Sequence, residues 1–404
     1  MRTTGAKTVL TAVSLSHFLN HLSMTVIAFL IPTIVAKELG LNTVQVGMLS
    51  AATQLTSGVF QLTFSMLIGF MKRNLLFSLG NALQAISAAL SLAVRGFTDL
   101  LFLRFLWGIG SAPQHPVGSS LLSESFDRRG RNLALSVHMG VAYLGNMVGP
   151  SMAAYLASGL GWRWASLLVG IPQLLMATAF VMLARGERST DWRANGAGRG
   201  TRHVMGSLWT TLTNRNLMTV NLAQVFATAG RGLNLWITYL PIYLMTNLGY
   251  DLGSSAVIVG CFLATGSLGT IVLGWASQRF NKMKIATVST LLTSLGLLSL
   301  ATYDGPPSVA AAIAISLGFV SLEVIVALQS YIADVRDPVT RDAALGVFFT
   351  VGFLAASFWT FLMGLLVESY GFRTAFLFMA SLNIPSAFFI FRLRSGVHGS
   401  DSAR

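Results

Sequence analysis

The chain has 404 residues, 53% of them hydrophobic and only 10% charged, against about 25% charged in ordinary soluble proteins. A soluble fold could not wet its surface with so few charges. The 27 Lys and Arg outnumber the 14 Asp and Glu for a formal net charge of +13, but the basic residues fall in short segments between long uncharged runs, which marks a membrane topology and excludes a nucleic-acid binder.

In chain order, uncharged runs occupy residues 8–36, 39–71, 74–94, 132–162, 164–184, 252–278, 285–303, 343–367 and 374–391. Each can cross a bilayer, for which about 20 apolar residues suffice. Three more runs qualify if one charge is tolerated or flanks the helix: 105–123 beside Arg104, 216–250 around Arg231, and 305–333 around Glu323. The expectation is an all-α integral membrane protein of twelve transmembrane spans. The first run lacks a small-residue cleavage site and reads as a retained helix. The single cysteine, Cys261, lies inside a span, so no disulfide framework or thiolate metal site is expected.

Alternating spans put 21 of the 27 basic residues on the side of both termini, leave Lys37, Arg95, Arg163 and Arg373 on the other, and hold Arg104 and Arg231 within the membrane. That asymmetry places both termini in the cytoplasm. Residues 186–215 form the longest polar segment, read as a cytoplasmic central loop between a six-helix half at 1–185 and another at 216–404. The halves repeat features at an offset of 205 to 210 residues: Gly161-Trp162-Arg163 opens span 6 and Gly371-Phe372-Arg373 opens span 12. Parallel halves of this kind imply a pseudo-two-fold axis along the membrane normal and alternating access.

Ionisable groups inside spans are costly and by default face a cavity or a partner. In span 1, His17, Asn20, His21 and Met24 form one helical stripe; they read as substrate contacts or a proton relay, or as histidines satisfied by helix–helix hydrogen bonds. No carboxylate or cysteine accompanies the two histidines in that helix, so no metal is expected. Span 4 aligns Arg104, Ser111 and His115; Arg104 either couples protons and orients substrate or snorkels toward Asp99. Span 5 carries His138, Ala142, Gly145 and Gly149 on one stripe, followed by Pro150, a seam that is both tight and bendable. Span 7 aligns Gln224, Thr228, Arg231 and Asn234, with Gly230 and Gly232 on either side of Arg231. Span 10 holds Glu323, the one acid deep in any span, read as a proton carrier or as the permanent counterion of Arg231 or Arg104. Two deep arginines against one acid favour an anionic or zwitterionic substrate gripped bidentately.

Several of these elements resemble the major facilitator superfamily over essentially the whole chain. Leu103-Arg104-Phe105-Leu106-Trp107-Gly108-Ile109-Gly110 is similar to its helix-4 motif, with Trp107 where Gln is usual, and Gly145-Asn146-Met147-Val148-Gly149-Pro150 is similar to the element associated with its antiporters. Gly69-Phe70-Met71-Lys72-Arg73, and Gly274 with Gln278, Arg279 and Lys282, resemble its loop signature without the acid. Ser16-His17-Phe18-Leu19-Asn20, Gln114-His115-Pro116 and Phe126-Asp127-Arg128-Arg129-Gly130 resemble the fosmidomycin-resistance-like exporters of the drug:proton antiporter branch.

The resemblance implies two pseudo-symmetric six-helix halves and an inner-membrane secondary transporter rather than an enzyme. The first reading is proton-coupled export of a small anionic or amphipathic compound; the alternative is proton-coupled uptake of an organic anion. Expected substrate contacts are His17, Asn20, His21, His115, Arg231 and Asn234, with Arg104 and Glu323 coupling protons. Gly145, Gly149, Pro150, Gly274 and Arg279 are expected to gate or pack. No cofactor beyond the coupling proton is expected, no nucleic acid, and a monomer in the lipid bilayer. Phosphate-binding and hydrolase motifs are absent.

Overall fold

The computed structural model describes residues 5–68, 70–126, 128–186, 206, 209–277, 279–333 and 338–393. Most of the expected central loop at 186–215 lies outside this range, as do Gly69, Asp127 and Gln278 of the sequence motifs. The described residues form helices throughout, and they match the twelve expected spans. In chain order these are α1 (Ala6–Leu39), α2 (Thr43–Leu67), α3 (Arg73–Ala93), α4 (Phe97–Ser111 continuing to Ser125), α5 (Arg128–Leu160) and α6 (Trp162–Gly186). Then follow α7 (Arg215–Arg231 and Leu233–Thr246), α8 (Leu252–Ala276), α9 (Lys282–Thr302), and α10 (Pro307–Ser321 and Glu323–Ala333). A last helical stretch, Pro338–Arg392, is divided at Gly371 into α11 and α12.

The burial pattern is that of a protein solvated by lipid. Ser16, His17, Asn81 and Gln114 are fully buried, while Phe102, Ile271 and Phe391 are more than half exposed. Polar side chains turn inward to find hydrogen-bond partners because hydrocarbon offers none.

Four helices are interrupted, each for a readable reason. Pro32 removes a backbone donor from α1, which widens into a π-helical turn at Ile31–Val35. Pro113 and Pro116 do the same in α4, producing a 3-10 turn at Ala112–Gln114 with His115 at the junction. In α7 the chain breaks at Gly232, and the indole Nε1 of Trp236 donates to the Gly230 carbonyl at 2.9 Å, recovering a bond at the break. In α10 the break is at Leu322, so Glu323 starts the second segment.

The internal repeat is written into the backbone. The positive-φ residues among those described are Gly40, Gly161, Gly249 and Gly371. They form two pairs within the offset read from the sequence: Gly40 and Gly249 end α1 and α7 (φ 65° and 72°), and Gly161 and Gly371 precede α6 and α12 (φ 78° and 76°). Only glycine adopts this left-handed conformation without strain.

By contact density the chain separates into two compact units, Met1–Arg199 with Ile237–Gly260, and Gly200–Trp236 with Cys261–Arg404. In the first, α1 packs on α5, α3 on α6 and α2 on α4, with an apolar core around Val13, Phe77, Leu122 and Phe180. In the second, α7 packs on the α11–α12 stretch, around Val220, Leu328, Phe348 and Ile390.

One terminus carries its own pH signature. Asp251, just before α8, accepts the Ser254 amide at 2.8 Å and the Ser254 hydroxyl at 3.1 Å, and the amide bond first of all holds its carboxyl below the ordinary carboxylate range. A lowered folded-state pKa gives stability that is present above the unfolded-state value of about 3.9 and is lost as the pH falls through the folded one. Asp251→Ala is therefore expected to lower the thermal midpoint at pH 7 in detergent, and the gap from the parent protein should close on acidification below the carboxylate range. A pH-independent gap would remove the capping role.

Candidate functional site

Within the first unit, four histidines from three helices converge. The two on α1 touch: His17 Nε2 and His21 Nε2 are 3.1 Å apart. The His115 ring, delivered by the break in α4, lies edge-on with its centroid 5.2 Å from that of His17. His138 of α5 stacks on His17 at 4.1 Å between centroids. Each α1 imidazole is oriented by its other nitrogen: His17 Nδ1 is 3.0 Å from the His138 carbonyl oxygen, and His21 Nδ1 is 3.1 Å from Asn146 Oδ1, which also receives the Thr25 hydroxyl at 2.8 Å.

Glycines make this convergence possible. A Cβ on Gly145 would sit 2.6 Å from the Phe18 carbonyl oxygen, and one on Gly149 2.7 Å from Thr25 Cβ, so α5 lies directly against α1. Pro150 follows in the same helix without interrupting it. Beside the histidines runs an amide network. Gln84 Nε2 donates to Asn20 Oδ1 at 2.5 Å, Gln114 Nε2 to Ser16 Oγ at 3.0 Å, and Ser16 Oγ to Asn81 Oδ1 at 3.1 Å. Sequence reasoning missed Asn81, Gln84 and Asn146 as members of this site; the available signal was an amide inside an uncharged run.

Arg104, also in the first unit, is buried, and its Nε and Nη2 make no hydrogen bond. Its guanidinium carbon stands 5.5 Å from the Trp107 ring centroid. The alternative of a snorkelling pair with Asp99 is not formed: Asp99 Oδ2 instead accepts the Arg95 backbone amide at 2.8 Å. Arg104 lines a crevice with Ser87, Ser91 and Ser166. The rest of the crevice is mainly apolar, and the three hydroxyls donate to backbone carbonyls of Leu103, Ala88 and Trp162, so the open donors of Arg104 are its unmet polar groups.

In the second unit, Arg231 sits at the end of the first α7 segment, buried, with Nη2 donating to Gln224 Oε1. Glu323 is buried and close enough to Arg231 for their charges to interact; its Oε2 makes no hydrogen bond. Asn234, just past the break, has both amide atoms buried without a partner. Gly230 leaves room for Asn383 of α12, which a Cβ there would overlap.

Of the expected packing residues of α8, Gly274 faces open space, and a Cβ placed there would have nothing within 4 Å. Arg279 is exposed, its guanidinium carbon 4.7 Å from the Trp275 ring centroid. The close seam of α8 lies earlier, at Gly266 and Gly269.

The profile described as Major Facilitator Superfamily matches residues 13–359. The chain is 25% identical to the probable L-galactonate transporter of Escherichia coli (strain K12) over 63% of its own length and 58% of that protein's. It thus spans little more than half of that relative. It is 22% identical to the hexuronate transporter of the same strain over 94% of this chain and 91% of the other. Among solved structures it superposes on the D-xylose-proton symporter with a TM-score of 0.80 at 14% identity, covering 97% of this chain and 98% of that one, a likeness of fold. The narrower likeness to fosmidomycin-resistance-like exporters finds no support here. Gln114-His115-Pro116, one of the runs behind it, is accounted for by the break in α4.

Proposed function

This chain belongs to the Major Facilitator Superfamily, and from that premise we propose that it is a secondary transporter of the inner membrane that takes up a small hydroxylated organic acid together with a proton. The observation that carries the reading is Arg104, a buried guanidinium whose Nε and Nη2 find no acceptor; a carboxylate supplies the matching acceptor pair. The second unit, taken by itself, also holds a buried cation, Arg231, and an amide with unmet hydrogen-bonding capacity, Asn234. The relatives named for galactonate and hexuronate transport support a carboxylate-bearing polyol.

Uptake takes precedence here over the export read first from the sequence. Export rested on the Gly145 to Pro150 element and the exporter likeness, and the two glycines of that element are explained by close packing of α5 on α1. Glu323, with one carboxylate oxygen unsatisfied and Arg231 nearby, is the proton carrier in this reading.

The test is accumulation of labelled galactonate, galacturonate and a neutral hexose in cells with and without the protein, before and after a proton uncoupler. Expected is acid accumulation that the uncoupler abolishes and no effect on the hexose. Glu323→Gln should lose gradient-driven accumulation by about tenfold or more while retaining exchange of labelled for unlabelled acid. Lowered accumulation would reverse the direction, and indifference to all acids would remove the substrate class.

A further inference from the structure

Within the histidine cluster, His17 Nδ1 faces the His138 carbonyl oxygen, which can only accept, so a neutral His17 carries its hydrogen on Nδ1 and presents a lone pair on Nε2. His21 Nδ1 faces the Asn146 amide, which Thr25 Oγ1 also bonds, and the two Nε2 atoms stand 3.1 Å apart. The His17 lone pair is thus aimed at His21, and either a metal ion between the two nitrogens or a hydrogen on His21 Nε2 satisfies it.

We propose that His17, His21 and His115 form a binding site for a late first-row transition metal ion such as Zn2+. Three features favour a metal over a shared proton. First, a proton needs two nitrogens, whereas here three histidines present ligand atoms that all lie within 4.8 Å of one another. Second, the separation of the two Nε2 atoms is near the edge of a tetrahedron with bonds of about 2.0 to 2.1 Å, the length of a zinc–imidazole bond. Third, His17 commits its far ring nitrogen to the His138 carbonyl oxygen and His21 holds its own against the Asn146 amide, the arrangement that orients metal-bound histidines. Imidazole-only coordination selects Zn2+, Co2+, Ni2+ or copper over Mg2+ and Ca2+, which require oxygen.

His17 is fully buried, but His21 and His115 are only partly so, which leaves a side from which an ion can enter. Three neutral ligands leave the ion's charge uncompensated and a fourth position open, which an anion fills. The sequence argued against a metal by counting the α1 histidines alone; the fold supplies the third from α4. This site stands independently of the transport reading, because binding is measured without transport.

The test uses the full chain purified with a tag free of histidine. Expected is one Zn2+ per chain by elemental analysis and titration, and Co2+ producing the intense visible absorption of a tetrahedral site. His21→Gln and His115→Gln should each weaken Zn2+ binding by about tenfold or more. Thermal midpoints measured without zinc establish that the variants fold. Nitrogen-15 spectra supply a second readout that needs no variant: Nε2 of His17 should be unprotonated in the metal-free protein, and Nε2 of both His17 and His21 should shift on adding Zn2+. Absence of saturable Zn2+ binding, binding that survives His115→Gln, or an imidazolium at His17 would each overturn the site.

Discussion

Replacing Arg104 with methionine is expected to abolish acid uptake while raising the thermal midpoint. The two effects share one cause. Arg104 is 2% exposed, and its Nε and Nη2 are buried without acceptors. Each unsatisfied buried donor costs about 1 to 3 kcal/mol, more when charged, and an apolar residue of similar length removes that cost. The same open donors are what a substrate carboxylate would occupy, so the gain in stability comes with a loss of binding, the usual conflict between stability and function.

Uptake of labelled galactonate should fall by about 100-fold or more, the scale of a lost charge-assisted pair of about 3 kcal/mol. Arg104→Lys keeps the charge but lacks the planar fork, and should recover little. Transport at the parental rate in the methionine variant would end the anion-receptor role. A falling midpoint would instead make Arg104 a structural group, held through its contact with Trp107.

The second large effect is expected at Gly269. A Cβ there would overlap the Phe319 carbonyl of α10, and one on Gly318 would overlap the Phe262 carbonyl of α8. Between them, Thr265 Oγ1 donates across the seam to the Ile315 carbonyl at 2.7 Å. The obstacle is backbone, which cannot rotate aside, so Gly269→Ala must separate the two helices. Overpacking of this kind costs about 3 kcal/mol or more, and little correctly folded protein should survive detergent extraction when assayed by fluorescence-detected size exclusion. Gly274→Ala, on the same helix, meets nothing within 4 Å and should be neutral or stabilising by up to about 1 kcal/mol. Equal behaviour of the two variants would refute the seam.

These two glycines differ in how far they could be read without coordinates. Gly274 drew attention through a loop signature, yet Gly269 makes the contact. In a soluble helix the apolar stripe would have identified the packed face, but α8 is apolar all round. Lipid is as apolar as a neighbouring helix, so periodicity carries little information about which face is packed.

What the sequence determined by itself follows from local or global physics. Charge-free runs of bilayer length set nine of the twelve spans, and runs that hold or adjoin a single charge supply the other three, because charges are largely expelled from hydrocarbon. Glycines repeated at a fixed offset announced two related halves, and the backbone confirms them at Gly161 and Gly371, where a left-handed turn leaves little choice of residue. Gly230 and Gly232 around Arg231 were equally compatible with close packing, and the structure places a break in α7 at Gly232. The histidine stripe of α1 was legible because a helix fixes the spacing of its own residues.

Only the tertiary structure decided what meets that stripe. His115 arrives through the proline-driven break in α4, and His138 and Asn146 arrive because Gly145 and Gly149 let α5 lie on α1. It likewise decided that Arg104 leaves Asp99 unpaired with it and keeps two donors open. The physical reason is the same in each case: partners far apart in the chain are chosen by helix packing, and in a membrane the packing surfaces are written in small and apolar residues that look alike until they are assembled.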